Sequence, residues 1–124
     1  MLKARDIMTS RVITIQSMAP VAEALELMRK HQVHALIVDR NGPDDAYGII
    51  IDEDIVYNVI AEGEDPSVVQ VYEVMTKPCV AVNPDLSVEF VAKLFANVGI
   101  RCAPVIQEQL LGIVSVSDIL HKSG

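Results

Sequence analysis

Three residues near the end of the chain have the types and spacing of a polar binding site. Gly112, Ser115 and Asp118 lie in the stretch GIVSVSD, which follows a strand-like apolar run. A hydroxyl, free backbone N–H groups and the positive end of a helix dipole are groups with which proteins hold phosphate. A carboxylate one turn further on can accept hydrogen bonds from a vicinal diol such as that of ribose. The Ser-x-x-Asp spacing is also that of a capping box, so the spacing by itself leaves both interpretations open.

The stretch belongs to an internal repeat. Three segments of the first half recur in order in the second: DIMTSRVITI as EVMTKPCVAV, VHALIVD as IRCAPVI, and GIIIDEDIV as GIVSVSDIL. Between the first two segments, each copy has apolar residues at the i, i+3, i+4, i+7 spacing of one helix face. These are Val21, Ala24, Leu25 and Met28 in the first copy, and Val88, Val91, Ala92 and Phe95 in the second.

Each copy is therefore predicted to form strand, helix, strand, turn, strand, helix. In the second copy we expect the first helix to begin behind Asp85 as its N-cap and to end at Gly99. Residues 1–62 are predicted as the first repeat, 63–72 as a linker and 73–124 as the second repeat. One repeat would bury its apolar surface poorly, so we expect the two copies to pack together. The fold class is predicted as α/β. In it, two pseudo-twofold-related β-α-β-β-α repeats pack sheet to sheet as one module.

Composition and charge restrict the function. The 124 residues are 51% hydrophobic with two Phe and no Trp, which favours an aliphatic core of strands and helices. The net charge of −7 and the scattered basic residues argue against nucleic-acid and membrane partners. No apolar run reaches the ~18 residues of a membrane span, and we expect a cytoplasmic protein. Cys79 and Cys102 lack metal-ligand spacing and are predicted to be buried reduced thiols, although a redox pair stays open.

The doubled motifs, taken together, resemble a tandem pair of CBS (cystathionine β-synthase) domains, a Bateman module, over residues 6 to 122. The resemblance implies a module that binds AMP, ADP, ATP or sometimes S-adenosylmethionine in clefts between the repeats, with no obligatory cofactor. It also implies a homodimer or higher homo-oligomer that acts on a partner protein or a fused domain. By resemblance, Asp118 would hold the ribose hydroxyls and Ser115 a phosphate. The other implied contacts are Gly112, Arg101, Thr76, Pro78, Cys79, Val80, Ala103, Pro104 and His34.

The first repeat departs from the family pattern. Its pocket would comprise Thr9, Ile13, Gly48, Ile51 and Asp54, and Ile51 replaces the hydroxyl that a phosphate needs. The neighbouring residues Asp52 and Glu53 would repel additional phosphates. We therefore expect one well-formed site, with AMP first, then ADP, ATP and S-adenosylmethionine. His34 corresponds to Arg101 and would reach the neighbouring phosphate by resemblance, or be a half-exposed histidine at a strand end.

Two other classes of function compete with a nucleotide sensor. A structural dimerisation module would keep the repeats but bind no nucleotide. An enzyme has little support, because the sequence has no Ser/His/Asp or Cys/His constellation, no P-loop and no metal-ligand spacing. We therefore predict a non-catalytic protein without a metal site.

Overall fold

A computed structural model describes residues 1–122 and confirms the α/β class. The chain forms two compact units: unit 1 contains residues 1–12 and 80–122, and unit 2 contains Ile13–Cys79. The elements in chain order are α1 (Ala4–Ile7), β1 (Thr14–Ile15), α2 (Val21–His31), β2 (Ala35–Val38), β3 (Gly48–Ile51), α3 (Asp52–Ile55), α4 (Val88–Val98), β4 (Cys102–Gln107), β5 (Gln109–Ser115) and α5 (Val116–Lys122). A π-helical turn, Val56–Ile60, continues α3, and a 3-10 turn spans Val71–Glu73.

Unit 2 has a three-stranded sheet in the order β1-β2-β3. β1 runs parallel to β2, and β3 runs antiparallel to β2. The predicted apolar face of α2 covers the core through Val21, Ala24 and Met28, which are buried. Leu36 and Ile50 from the sheet complete the centre of this aliphatic core.

Unit 1 has an antiparallel hairpin formed by β4 and β5. The strand predicted at the start of the second copy is reduced to one parallel bridge between Val82 and Val105. Val82 N donates to Pro104 O at 2.9 Å, and Ile106 N donates to Val82 O at 3.0 Å. Val91 and Phe95 of α4 pack into the core of this unit, as predicted, whereas Ala92 is exposed.

The predicted N-cap of α4 is wrong, and its predicted end is confirmed. Phe90 N donates to the hydroxyl of Ser87 at 3.3 Å, so Ser87 is the N-cap. Asp85 instead belongs to the preceding turn, because its backbone N donates to Asn83 Oδ1 at 2.8 Å. Gly99 ends the helix with a φ of 77°, the left-handed conformation that glycine adopts without strain.

The two units do not coincide with the two sequence repeats. In unit 1, Thr9 of the first copy pairs with Ile113 of the second through hydrogen bonds of 2.8 and 3.0 Å. In unit 2, Thr76 of the second copy pairs with Ile49 of the first through bonds of 2.9 and 3.0 Å. Residues 1–12 and 71–79, here called the exchanged segments, thus lie with the opposite copy. The two cores agree with this exchange, because unit 1 buries Ala4 and Ile7 and unit 2 buries Val71.

Candidate functional site

Ser115 and Asp118 form the polar junction at which β5 ends and α5 begins. Asp118 N donates to Ser115 Oγ at 3.1 Å, and Ser115 N donates to Asp118 Oδ2 at 2.9 Å. The hydroxyl of Ser115 also donates to Oδ2 at 3.0 Å. The capping box that the spacing allowed is confirmed, and its hydrogen bonds hold both side chains at the first turn of α5. Asp118 is buried, so this carboxylate has a restricted approach from solvent.

The other oxygen of Asp118 is contacted by two residues that were not predicted there. Lys122 Nζ lies 3.0 Å from Oδ1, and Thr9 Oγ1 lies 3.4 Å from it. Thr9 was predicted in the pocket of the first repeat, but the exchanged segment places it at the motif of the second. Lys122 was not predicted at the site. The i, i+4 spacing of Asp118 and Lys122 on one helix is typical of an ion pair and could have indicated this contact.

The strand ladder brings the other predicted residues of unit 1 alongside the junction. Ala103 and Pro104 are buried in β4 opposite Val114 and Ile113. Arg101 is exposed, and its carbonyl accepts from Val116 N at 2.8 Å, which places its backbone at the first residue of α5. Val80 is partly buried.

Gly112 is required by packing. A Cβ at this position would lie 2.7 Å from Thr9 O and 2.9 Å from Met8 Sδ. Because Gly112 has no side chain, the backbone of the exchanged segment can pack directly against it. Gly48 has the same role in unit 2, where a Cβ would lie 3.0 Å from Met75 Sδ and 3.3 Å from Thr76 O.

The remaining predicted contacts lie in unit 2. Thr76 pairs with Ile49, and Cys79 N donates to Tyr47 O at 3.2 Å. Pro78 is exposed. Cys79 and Cys102 are only partly buried, and burial raises the pKa of the Cys79 thiol. The His34 side chain is 90% exposed, with Nδ1 3.1 Å from Asp52 Oδ2.

The corresponding junction of the first repeat differs in charge and donors. Ile51 occupies the position of Ser115, so only half of the capping box forms: Ile51 N donates to Asp54 Oδ2 at 3.1 Å. Burial raises the pKa of the Asp54 carboxyl, and the negative charges of Glu53 and Asp52 raise it further. Nearby, Ile13 O accepts from Ile37 N at 3.1 Å in the sheet. Ile51 supplies no hydroxyl to this junction, and the junction concentrates negative charge, which disfavours a phosphate.

The described part of the chain shows neither a metal-holding cluster nor a membrane-spanning helix. Residues 1–122 contain no group of three or more His, Cys, Asp or Glu side chains arranged to hold a metal ion. None of the helices in the same range has the length and apolar character needed to cross a membrane.

The duplicated motifs and the two strand–helix junctions define a module of paired repeats. The family model of the CBS domain matches residues 4–61 and 71–124, which together make up most of the chain. The chain therefore belongs to the CBS domain family, as a tandem pair.

Proteins of Bacillus subtilis and Methanopyrus kandleri match most of this chain. The CBS domain-containing protein YhcV of Bacillus subtilis is 35% identical over 120 residues, which span 96% of this chain and 84% of YhcV. A protein of Methanopyrus kandleri is 32% identical over 108 residues, spanning 83% of this chain. The chain covers only 55% of the length of that archaeal relative.

Solved structures of two other proteins have the same fold. A hexameric CBS-CP12 protein from bloom-forming cyanobacteria is 55% identical, with a TM-score of 0.96, over 98% of this chain and 72% of that one. The CBS domain pair of the protein MJ0100, in complex with 5′-methylthioadenosine and S-adenosyl-L-methionine, is 26% identical. Its TM-score is 0.84, over 98% of this chain and 99% of that one.

Proposed function

We propose that this CBS pair is a regulatory module that binds an adenosine nucleotide at the junction of β5 and α5. The observation that carries the proposal is the fixed pair of Ser115 Oγ and Asp118 Oδ2, 3.0 Å apart, beside the backbone of Arg101. The adenosine ligands of the MJ0100 pair support the ligand class. We propose AMP as the first ligand, followed by ADP, ATP and S-adenosylmethionine.

The chemistry divides between the polar groups of this junction. The carboxylate of Asp118 would accept hydrogen bonds from the ribose hydroxyls, because an ionised carboxylate is an acceptor only. Ser115 and the guanidinium of Arg101 would hold the phosphate. One ligand per chain is expected, since the first repeat has Ile51 and an acidic cluster at the equivalent junction. The implied contacts of Thr76, Pro78, Cys79, Val80, Ala103, Pro104 and His34 stay predictions that single substitutions can test.

Regulation requires that the ligand prefer one conformation of the module over another. The response would then pass to a partner protein or a fused domain. The hexameric assembly of the CBS-CP12 relative supports a homo-oligomer as the active form. The proposal therefore includes self-association but leaves the effector to be identified.

Isothermal titration tests the proposal. AMP, ADP, ATP and S-adenosylmethionine are titrated into the wild type, Asp118→Asn and the matched control Asp54→Asn. We expect one site per chain for wild type and Asp54→Asn, and at least a tenfold loss for Asp118→Asn, about 1.4 kcal/mol. A thermal melt of each variant establishes that it is folded. Absence of binding to wild type at millimolar concentration, or equal binding by Asp118→Asn, would refute the proposal.

A structural module without a nucleotide ligand is the second candidate. It is favoured by a specific observation: both oxygens of Asp118 already contact protein groups from Ser115, Lys122 and Thr9. Exposed apolar side chains on α4 and α5, namely Phe90, Val98, Val116 and Leu120, would serve contacts between copies. The same titration decides between the two candidates.

A further inference from the structure

The hydrogen-bonding capacity of Asp118 is largely occupied by the protein itself. Oδ2 accepts from the backbone N and the hydroxyl of Ser115. Oδ1 has Lys122 Nζ at 3.0 Å and Thr9 Oγ1 at 3.4 Å. A carboxylate offers about four acceptor positions on its two oxygens. A ribose diol must therefore displace a group that already lies at Oδ1.

Lys122 is held more firmly than an ordinary surface lysine. Its Nζ lies 3.3 Å from Ile7 O and 3.5 Å from Thr9 Oγ1, in addition to the contact with Asp118. An ammonium group has three donors, and these three acceptors match them. Lys122 thus links α5 to the exchanged segment of residues 1–12.

The ion pair between Lys93 and Glu89, which is also on a helix, is much more exposed than the pair between Asp118 and Lys122. Lys93 and Glu89 have an i, i+4 contact of 3.3 Å, but their side chains are 60% and 70% exposed. The side chain of Asp118 is only 11% exposed, and that of Lys122 is 46% exposed. Water screens the exposed Lys93–Glu89 pair much more than the Asp118–Lys122 pair. The Asp118–Lys122 contact is therefore harder for a ligand to replace.

We propose that Lys122 sets the affinity of the site by competing with the ligand diol for Asp118 Oδ1. This inference rests on the proposed function. Binding of a diol breaks the ion pair, so Lys122 loses the contact with Asp118 that orients its ammonium group toward Ile7 and Thr9. Occupancy of the site is thereby coupled to the contact between α5 and the exchanged segment.

The sequence of the first repeat supports a role specific to the second. The residue that corresponds to Lys122 is Asn58, and the carboxylate of Asp54 has acidic neighbours in Asp52 and Glu53. Of the two copies, only the second, which has the Ser115 hydroxyl, also has a basic residue four positions after the motif aspartate.

Adenosine is the probe that isolates the competition, since it has the diol but no phosphate that the charge of Lys122 would attract. Adenosine and AMP are titrated into wild type, Lys122→Met and the matched control Lys93→Met. Methionine keeps the apolar stem of lysine and removes its charge. We expect adenosine to bind Lys122→Met about fivefold more tightly than wild type, about 1 kcal/mol, with Lys93→Met unchanged. Lys122→Gln, which keeps a hydrogen-bond donor without the charge, is expected to change in the same direction.

The possible outcomes separate this inference from the proposed function. Nucleotide binding to wild type with equal or weaker adenosine binding by both Lys122 variants overturns the inference and leaves the proposed function standing. Adenosine binding by wild type that becomes tighter in both Lys122 variants supports the inference. Absence of adenosine and AMP binding in all folded variants overturns both.

Discussion

The motif glycine gives a sharp test of the exchanged segments. In Gly112→Ala the new Cβ would lie 2.7 Å from Thr9 O and 2.9 Å from Met8 Sδ. The sulfur can move, but the carbonyl belongs to a backbone held by two hydrogen bonds with Ile113. Overpacking costs about 1–3 kcal/mol, and we assign about 2 kcal/mol here because backbone must shift. Weakening one of the two hydrogen bonds adds about 1 kcal/mol.

The free energy of unfolding is measured by urea denaturation without nucleotide, with circular dichroism as the signal, and Tm is measured by a thermal melt with the same signal. The expected loss of roughly 3 kcal/mol corresponds to a fall in Tm of roughly 12 °C for a chain of this size. Gly48→Ala is the matched control, because its nearest contact is the flexible Met75 Sδ at 3.0 Å and Thr76 O lies at 3.3 Å. We expect about 1 kcal/mol for that variant. A Gly112→Ala protein as stable as wild type, or less affected than Gly48→Ala, would refute the packing role.

Two further predictions concern charged groups of unit 2. Because burial raises the pKa of Asp54, the folded state keeps its proton at pH values where the unfolded state has lost it. Stability should therefore fall as pH rises from the unfolded pKa, about 4, through the raised folded value. The difference in unfolding free energy between wild type and Asp54→Asn should show this slope between pH 4 and the raised value; a flat difference contradicts it. Lys77 Nζ lies 2.7 Å from Asp45 Oδ2, with side chains 25% and 29% exposed, and a double-mutant cycle should give a larger coupling energy for this pair than for the more exposed pair of Lys93 and Glu89. Equal coupling energies would contradict the role of burial.

The local features of the fold could be predicted from the sequence. The helix faces of α2 and α4, the end of α4 at Gly99 and the capping box at Ser115 depend on residues less than three turns apart. Asp85 was mistaken for the N-cap of α4 because a turn residue and a cap residue have the same chemistry. Here Asn83 draws Asp85 into a turn, and Ser87 lies at the true start of the helix.

The pairing of each Met-Thr segment with the opposite copy could not be predicted from the sequence. The Met-Thr segments were assigned to the pockets of their own copies, and no local pattern shows that Thr9 lies beside Asp118 or that Thr76 pairs with Ile49. The repeats are alike enough that either pairing would satisfy the same hydrophobic pattern. The glycine motifs contained an indirect signal, since a glycine in a buried strand often marks the close approach of another backbone.

The exchange of segments sets an order for folding during synthesis. Every residue of unit 2 has been made when Cys79 is added, so this unit can complete its core while the rest of the chain is still being translated. The first twelve residues have no such opportunity, because their partners lie between residues 80 and 122. Ala4 and Ile7 are therefore synthesised well before the residues that bury them, and during that interval they are available to chaperones.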